Sequence, residues 1–515
     1  MDVVETKNGP VRGRRVADGD VVAVLGVPYA APPFGAARFR EPQPVDPWRE
    51  VRECARFGHV APQSAQLPGA PVWSPGDEDV LTLNVWAPVD ASALPVLVWI
   101  HGGAYTFGSS AQPDFDGTVL ARDGRLVVVT VNYRLGFEGF GHVPSAPGTG
   151  PFPDNRGLLD QVAALRWVRE NIGAFGGDPE IVTLAGQSAG ATSAACLMVM
   201  DRAKGLFRRA IAHSAVGPCF SAGLAREITA RVAAAAGLPA TPDALAAASP
   251  GALVAASDDV VDAYRHDPAS GHLHYDPVIY GPVVDGDVLP VEPLAGLASG
   301  AAADVDLLVC RTTQEYWLMD AVDSSAKITT WDGLERFAAD FGLPDGLVGG
   351  YRELMPDAPV LDVHLSVFGD LLFAEYSSRL AESHARAGGL TYLSHFDRRR
   401  TGPDGGEVRA WHCADVPFAF GNHTLPAVEF LVGGPPTPAD HLLSRDMVAA
   451  WAAFAATGDP GWQPLDTTGA GPDHDWAPDD AHDRQPLPGT RALWRGIAYL
   501  PLGPCPDGGS VARNP

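Results

Sequence analysis

The chain has 515 residues, 46% of them apolar and 19% charged, and its 37 basic and 62 acidic side chains leave a net charge of −25. That apolar content excludes a disordered chain and provides for a large buried core. The acidic balance excludes nucleic acid or an anionic membrane as the main partner, because both demand a basic face.

Residues 1–7 carry neither the basic nor the apolar region of a secretory signal. No apolar run reaches the ~18 residues that a membrane span needs. The six cysteines include no Cys-x-x-Cys pair, which argues against a zinc ribbon, a redox dithiol or a disulfide framework. A cytoplasmic chain is expected. Leu94–Ile100 is a continuous apolar run of the kind that forms a strand buried on both faces, and His101-Gly102-Gly103-Ala104-Tyr105 follows it directly. Residues 126–131 form the next such run. Over 155–175, Leu158, Val162, Leu165, Val168 and Ile172 share one face of a 3.6-residue period and predict a helix. A strand over 181–185 runs into Gly186-Gln187-Ser188-Ala189-Gly190 and then an apolar helical stretch, 191–200. Residues 222–268 are alanine-rich and predict a helical excursion beside the sheet. Strands follow at 305–309 and 390–393. A last helix carries Leu443, Met447, Trp451 and Phe454 on one face, with Gly458 as its stop. Strands alternating with helices predict an α/β fold with a mostly parallel sheet covered on both sides. The Pro/Gly-rich stretches 144–153, 433–438 and 469–478 read as loops inside one large domain spanning 1–515.

The segment 186–190 is a G-x-S-x-G turn between a strand and a helix, a bend so tight that side chains at Gly186 and Gly190 would collide with backbone. It lifts the Ser188 hydroxyl clear of the sheet at the positive end of a helix dipole. A serine hydroxyl is a poor nucleophile near neutral pH and needs a base, an orienting acid and donors for an oxyanion. The small residues after the first strand supply such donors. The backbone N–H groups of Gly103, Ala104 and Ala189 are assigned to that role; loss of one such donor typically costs ~3–4 kcal/mol in the transition state.

These motifs resemble the type B carboxylesterases, the cholinesterase-like branch of the α/β-hydrolases that includes para-nitrobenzyl esterases. The likeness runs from Gly26-Val27-Pro28-Tyr29-Ala30, Arg38-Phe39 and Trp48 through Glu78-Asp79-Val80-Leu81-Thr82-Leu83-Asn84-Val85-Trp86 and Asn132-Tyr133-Arg134-Leu135-Gly136. It continues with Phe175-Gly176-Gly177-Asp178-Pro179 and Gly281-Pro282-Val283-Val284-Asp285-Gly286, and reaches the segment 451–460. The resemblance implies an α/β-hydrolase fold in which long loop and helix excursions form an active-site gorge. It implies a catalytic acid at Glu315, in the loop after the strand 305–309, with Asp306 and Asp320 as flanking alternatives. It places the base at His412, within Ala410-Trp411-His412-Cys413-Ala414-Asp415-Val416-Pro417-Phe418. Two scaffold ion pairs of the family map to Arg38 with Glu78 and Arg134 with Asp160.

The implied function is a serine carboxylesterase acting on small or medium neutral esters without metal or cofactor, as a monomer or weak homo-oligomer. Acyl transfer or cyclisation on a natural product by the same triad is the alternative, and a non-catalytic interaction protein the reading of a different class. Gln187 stands where relatives usually have glutamate, removing a negative charge beside the triad. With Tyr105, Leu318 and Met319 it is assigned to substrate binding, and Leu318 and Met319 argue against a quaternary ammonium site. Trp73 is a candidate for the gorge wall. The disulfide of secreted relatives aligns with Ala61 and Val80 and is absent. The cluster His266, Asp267, His272, His274 and Asp276 fits no ligand spacing and reads as a polar loop. Arg398-Arg399-Arg400 reads as a solvated basic patch, with a substrate carboxylate as the other use. Cys413 reads as packing.

Overall fold

Ten strands form the sheet that organises the molecule: β1 (Arg14–Val16), β2 (Val21–Pro28), β3 (Thr82–Pro88), β4 (Leu94–Ile100), β5 (Val127–Val131), β6 (Gly177–Gln187), β7 (Arg209–His213), β8 (Asp306–Thr312), β9 (Thr391–Phe396) and β10 (Asp473–Trp476). A computed structural model gives this arrangement and describes residues 3–65, 72–145, 152–402, 405–478 and 489–504. Part of the predicted loop 144–153 and Cys505 lie outside the described residues. The spatial order is β10-β9-β8-β7-β6-β4-β5-β3-β2-β1. The six pairings from β10 to β5 are parallel, and the three that join β5, β3, β2 and β1 are antiparallel.

The period-two geometry of a strand divides each apolar run between two cores. In β4, Val96, Val98 and Ile100 enter the core on one face, while Leu97 and Trp99 enter that on the other. Both faces are therefore covered, as the unbroken hydrophobicity predicts. Helix α1 (Arg156–Asn171) lays Leu158, Val162, Leu165 and Val168 on the first face. Helix α2 (Ala189–Val199) follows β6 and is buried along its whole length. The excursion contributes α3 (Ala222–Ala235) and α4 (Pro250–His266) to that same core. On the second face, α5 (Pro438–Thr457) packs Met447, Trp451 and Phe454. Thr437 and Asp440 form its capping box, and Gly458 ends it at φ +85°, a left-handed conformation suited to glycine.

A third core, around Tyr316, Phe337, Tyr351, Phe368 and Trp494, joins helices between residues 317 and 386 to the 3-10 turn Thr490–Trp494. This block and the antiparallel strands β1–β3 go beyond the sequence expectation. Among the described residues no helix is long and apolar enough to cross a membrane.

The expected ion pair between Arg134 and Asp160 is formed and fully buried, with Oδ1 and Oδ2 of Asp160 accepting from Nη2 and Nε of Arg134 at 2.7 and 2.8 Å. The pairing of Arg38 with Glu78 is overturned. Arg38 bonds Glu138 at 2.5 Å in a buried pair, and Glu78 is exposed. The short helix Gly136–Phe140 carries Glu138 to that guanidinium, a placement that order along the chain does not reveal. The solvated patch at Arg398 is overturned as well. Its guanidinium is buried and bidentate on Asp440 at 2.5 and 2.7 Å, because the capping carboxylate of α5 faces it.

Candidate active site

The bend at the end of β6 is set by two glycines that touch each other. A Cβ on Gly186 would lie 2.4 Å from the backbone of Gly190, and one on Gly190 would lie 1.9 Å from the carbonyl oxygen of Ile100. Any larger side chain separates the strand from the helix or the helix from β4. Ser188 sits between them at φ 56°, ψ −125°, a strained conformation for a residue with a Cβ. Its N–H donates to the His213 carbonyl at 2.9 Å, which ties the elbow to β7. Ser188 begins α2, and the first N–H groups of a helix have no acceptor within it, Ala189 included.

The loop after β4 lies against this serine. A Cβ on Gly102 would stand 3.0 Å from Ser188 Cβ and 2.9 Å from Gln187 Oε1, so only glycine lets the backbone come so close. Gly103, Ala104 and Tyr105 all have positive φ, at 112°, 51° and 58°. Four hydrogen bonds hold this strained path: Thr106 and Phe107 N–H groups on the Gly103 carbonyl, Gly136 N–H on the Tyr105 carbonyl at 2.7 Å, and Tyr133 O–H on the His101 carbonyl at 2.8 Å. His101 stacks on Tyr133 at 4.6 Å, and its Nδ1 meets the Gly102 carbonyl at 2.7 Å. Burial lowers its pKa to about 4, so it is a neutral brace.

Glu315 is placed just after β8. Its Oε1 accepts from Ser214 Oγ at 2.6 Å and from Thr312 N–H at 2.8 Å, and its Oε2 meets His412 Nδ1 at 2.6 Å. A carboxylate only accepts, so Nδ1 carries the ring proton and Nε2 is left as the acceptor. Gln187 Nε2 lies 2.9 Å from that nitrogen and donates to it when the ring is neutral. Burial alone favours the neutral ring; the adjoining Cys413 thiol and the Glu315 carboxylate act against it and prevail, so the His412 pKa is raised. Burial also pushes the Cys413 thiol up and keeps it protonated near neutrality, where Glu315 is then the charge that matters.

The structure thus brings together Gln187, Ser188, Glu315 and His412 with the Gly102–Ala104 backbone. Tyr105, expected at the substrate surface, instead packs its ring on Phe140 at 4.6 Å within the core beneath the loop. Leu318 and Met319 lie half-buried on the short helix Trp317–Ala321 that follows Glu315. Trp73 stacks on Phe34 at 6.3 Å. Sequence reasoning missed Phe373, whose ring centroid is 4.2 Å from that of His412. It sits on a π-helical turn, Asp370–Ala374, a feature frequent at functional sites and without a simple sequence signal. Among the described residues, the one group of three side chains close enough to share a metal ion is His213, Cys310 and Asp415, not the histidines of 266–274. His213 Nδ1 and Asp415 Oδ2 are already bonded to each other at 2.5 Å.

A sequence model of the carboxylesterase family matches residues 1–339 and 359–485. The chain is 35% identical over 466 residues to the para-nitrobenzyl esterase of Bacillus subtilis (strain 168), covering 89% of this chain and 90% of that one. It is 33% identical over 456 residues to the phenmedipham hydrolase of Pseudarthrobacter oxydans, covering 84% and 86%. Among solved structures, the carboxylesterase EST55 of Geobacillus stearothermophilus superposes with a TM-score of 0.81 at 35% identity, over 96% of this chain and 100% of that one. A thermophilic para-nitrobenzyl esterase gives 0.77 at 34% identity, over 90% and 92%.

Proposed function

The chain belongs to the carboxylesterase family and is a serine carboxylic ester hydrolase with an α/β-hydrolase fold, and on that premise we propose that Ser188, His412 and Glu315 are its triad. The observation that carries this reading is the 2.6 Å bond from His412 Nδ1 to Glu315, with Nε2 turned to the residue that precedes the serine. Ser188 attacks the ester carbonyl as His412 Nε2 takes its proton. Glu315 holds the tautomer and stabilises the imidazolium. The N–H groups of Gly103, Ala104 and Ala189 receive the oxyanion, His412 protonates the departing alcohol, and water repeats the sequence on the acyl-enzyme. Leu318 and Met319 line an apolar site for small to medium neutral esters. The chain acts as one domain, in the cytoplasm, as a monomer or weak homo-oligomer; free thiols at Cys54, Cys196, Cys219, Cys310 and Cys413 support a reducing compartment. The test is stoichiometric labelling by an organophosphate, lost in Ser188→Ala, together with turnover of para-nitrophenyl esters from acetate to palmitate. Activity concentrated on palmitate would contradict the size assignment, and labelling retained in Ser188→Ala would contradict the nucleophile.

Gln187 occupies the Nε2 lone pair that Ser188, the next residue, must use on this reading. An amide there donates to the neutral imidazole and stabilises the form that works as a base. Gln187→Glu puts a carboxylate in its place, which favours the imidazolium instead. The apparent pKa of the base should rise by about 1 unit or more. Activity then falls on the acid limb of the kcat/KM profile, while the alkaline plateau is retained. An unshifted profile would refute the contact.

A further inference from the structure

The reading of the triad leaves a buried, hydrogen-bonded histidine–aspartate pair unused, and it touches every segment that carries a triad residue. His213 is the last residue of β7, paired in register with Gln187 on β6 and Cys310 on β8. Its carbonyl accepts the Ser188 N–H at 2.9 Å. The next residue, Ser214, donates its N–H to the Cys310 carbonyl at 2.8 Å and its hydroxyl to Glu315 Oε1 at 2.6 Å. The His213 ring then reaches the remaining segment: Nδ1 bonds Asp415 Oδ2 at 2.5 Å, and Asp415 stands three residues beyond His412. Both side chains are buried.

The pair is held from two sides. Asp415 heads the short helix Val416–Ala419, and its carbonyl accepts from Phe418 and Ala419. The His213 ring meets the Trp451 ring of α5 edge-on, at 4.9 Å and 85°. Neither rotamer is free to swing away. Yet His213 Nε2 and Asp415 Oδ1 have no hydrogen-bond partner among the described residues. Each such orphan is destabilising, and a well-packed apolar pair of the same volume would often be as stable. Stability therefore gives a poor reason for this pair, whereas geometry gives a direct one. A hydrogen bond fixes distance and direction, which an apolar contact does not.

We propose that His213 and Asp415 are positioning residues for the esterase reaction: their bond locks the His412 segment in register with the strand end that holds Ser188 and, through Ser214, Glu315. The inference rests on the triad reading, since it assigns the pair no chemistry of its own.

The test uses the full-length enzyme with His213→Leu, Asp415→Ala, Asp415→Asn and the double variant His213→Leu/Asp415→Ala. Steady-state kinetics are taken with para-nitrophenyl butyrate, and folded enzyme is counted by circular dichroism. A displacement of about 1 Å at the base costs roughly 100-fold. Asp415→Ala and His213→Leu are expected to lose about that factor in kcat per folded molecule, with KM within about threefold. Organophosphate labelling of Ser188 should slow in parallel. The double variant should lose no more than the worse single one, because both break the same bond. Asp415→Asn keeps a carbonyl acceptor for the Nδ1 proton and should recover at least tenfold over Asp415→Ala. Unchanged kcat per folded molecule, or single losses that multiply in the double variant, would overturn the proposal. Where Asp415→Ala does not fold, the comparison of Asp415→Asn with His213→Leu decides. Full activity in Ser188→Ala would overturn the triad reading instead, so the two failures are told apart.

Discussion

Ser188→Ala is expected to lower kcat by about 10⁶-fold and Glu315→Gln by about 10⁴-fold, both with KM changed only a few-fold. On the proposed mechanism the serine result follows from removing the atom that forms the acyl-enzyme; what survives is the rate that the backbone donors proposed at Gly103, Ala104 and Ala189 give to attack by water. The glutamine result follows from counting acceptors. Oε1 of Glu315 takes two donors, Ser214 Oγ and Thr312 N–H, and Oε2 takes one, His412 Nδ1. Glutamine has a single oxygen. It settles where two donors need it, and its NH₂ then faces Nδ1. The ring answers by moving its proton to Nε2, the atom that must accept from Ser188. The base is present, in place and in the wrong tautomer. Pre-steady-state kinetics with para-nitrophenyl butyrate should show the acylation step slowed in Glu315→Gln while substrate affinity holds. A Glu315→Gln enzyme within tenfold of the parent would remove Glu315 from the triad.

The sequence is legible where function imposes a local pattern. Gly186 and Gly190 flank the serine because a Cβ at either collides with backbone, and the constraint lies within five residues. His101-Gly102-Gly103 is readable for the same reason. Glu315 and His412 lie far apart in the chain, so no local pattern joins them; the flanking motifs of a resembled family supplied that link. What stayed hidden depends on three-dimensional register. Glu138 pairs with Arg38 in preference to Glu78 because a five-residue helix turns it inward. Arg398 reads as one of three solvated arginines until Asp440 is seen to face it. Phe373 reaches His412 through an irregular turn within a long helical stretch, and His213, at the end of a strand, meets Asp415 at the head of a short helix. Motifs name the groups that react. They are silent about what holds those groups still.

Asp160→Ala is expected to destabilise the fold by about 3–5 kcal/mol, read as a lower urea midpoint at an unchanged slope. Asp160 lies on α1 and accepts the Nε and Nη2 protons of Arg134 together with the Arg134 backbone N–H at 3.0 Å. Arg38 is matched by Glu138, whereas the guanidinium of fully buried Arg156 is met by the carbonyls of Phe137, Glu138, Gly141 and Pro153, with no carboxylate bonded to it among the described residues and Asp154 acting on it only through its charge. Burial, with Arg134 next in weight, lowers the Arg156 pKa to about 10. Without Asp160, Arg134 joins it as a second buried guanidinium with no carboxylate bonded to it. The damage should reach the active site by a short path. Arg134 directly follows Tyr133, whose hydroxyl holds the His101 carbonyl, and two residues on Gly136 holds the Tyr105 carbonyl. The strained path of the loop 102–105, where the oxyanion donors are proposed, thus depends on a segment anchored by this ion pair, and kcat should fall in the molecules that remain folded. Replacing both partners, Arg134→Met with Asp160→Leu, removes the charges together and should restore most of the lost stability. A double variant as unstable as Asp160→Ala would show that the three hydrogen bonds, not the uncompensated cation, set the cost.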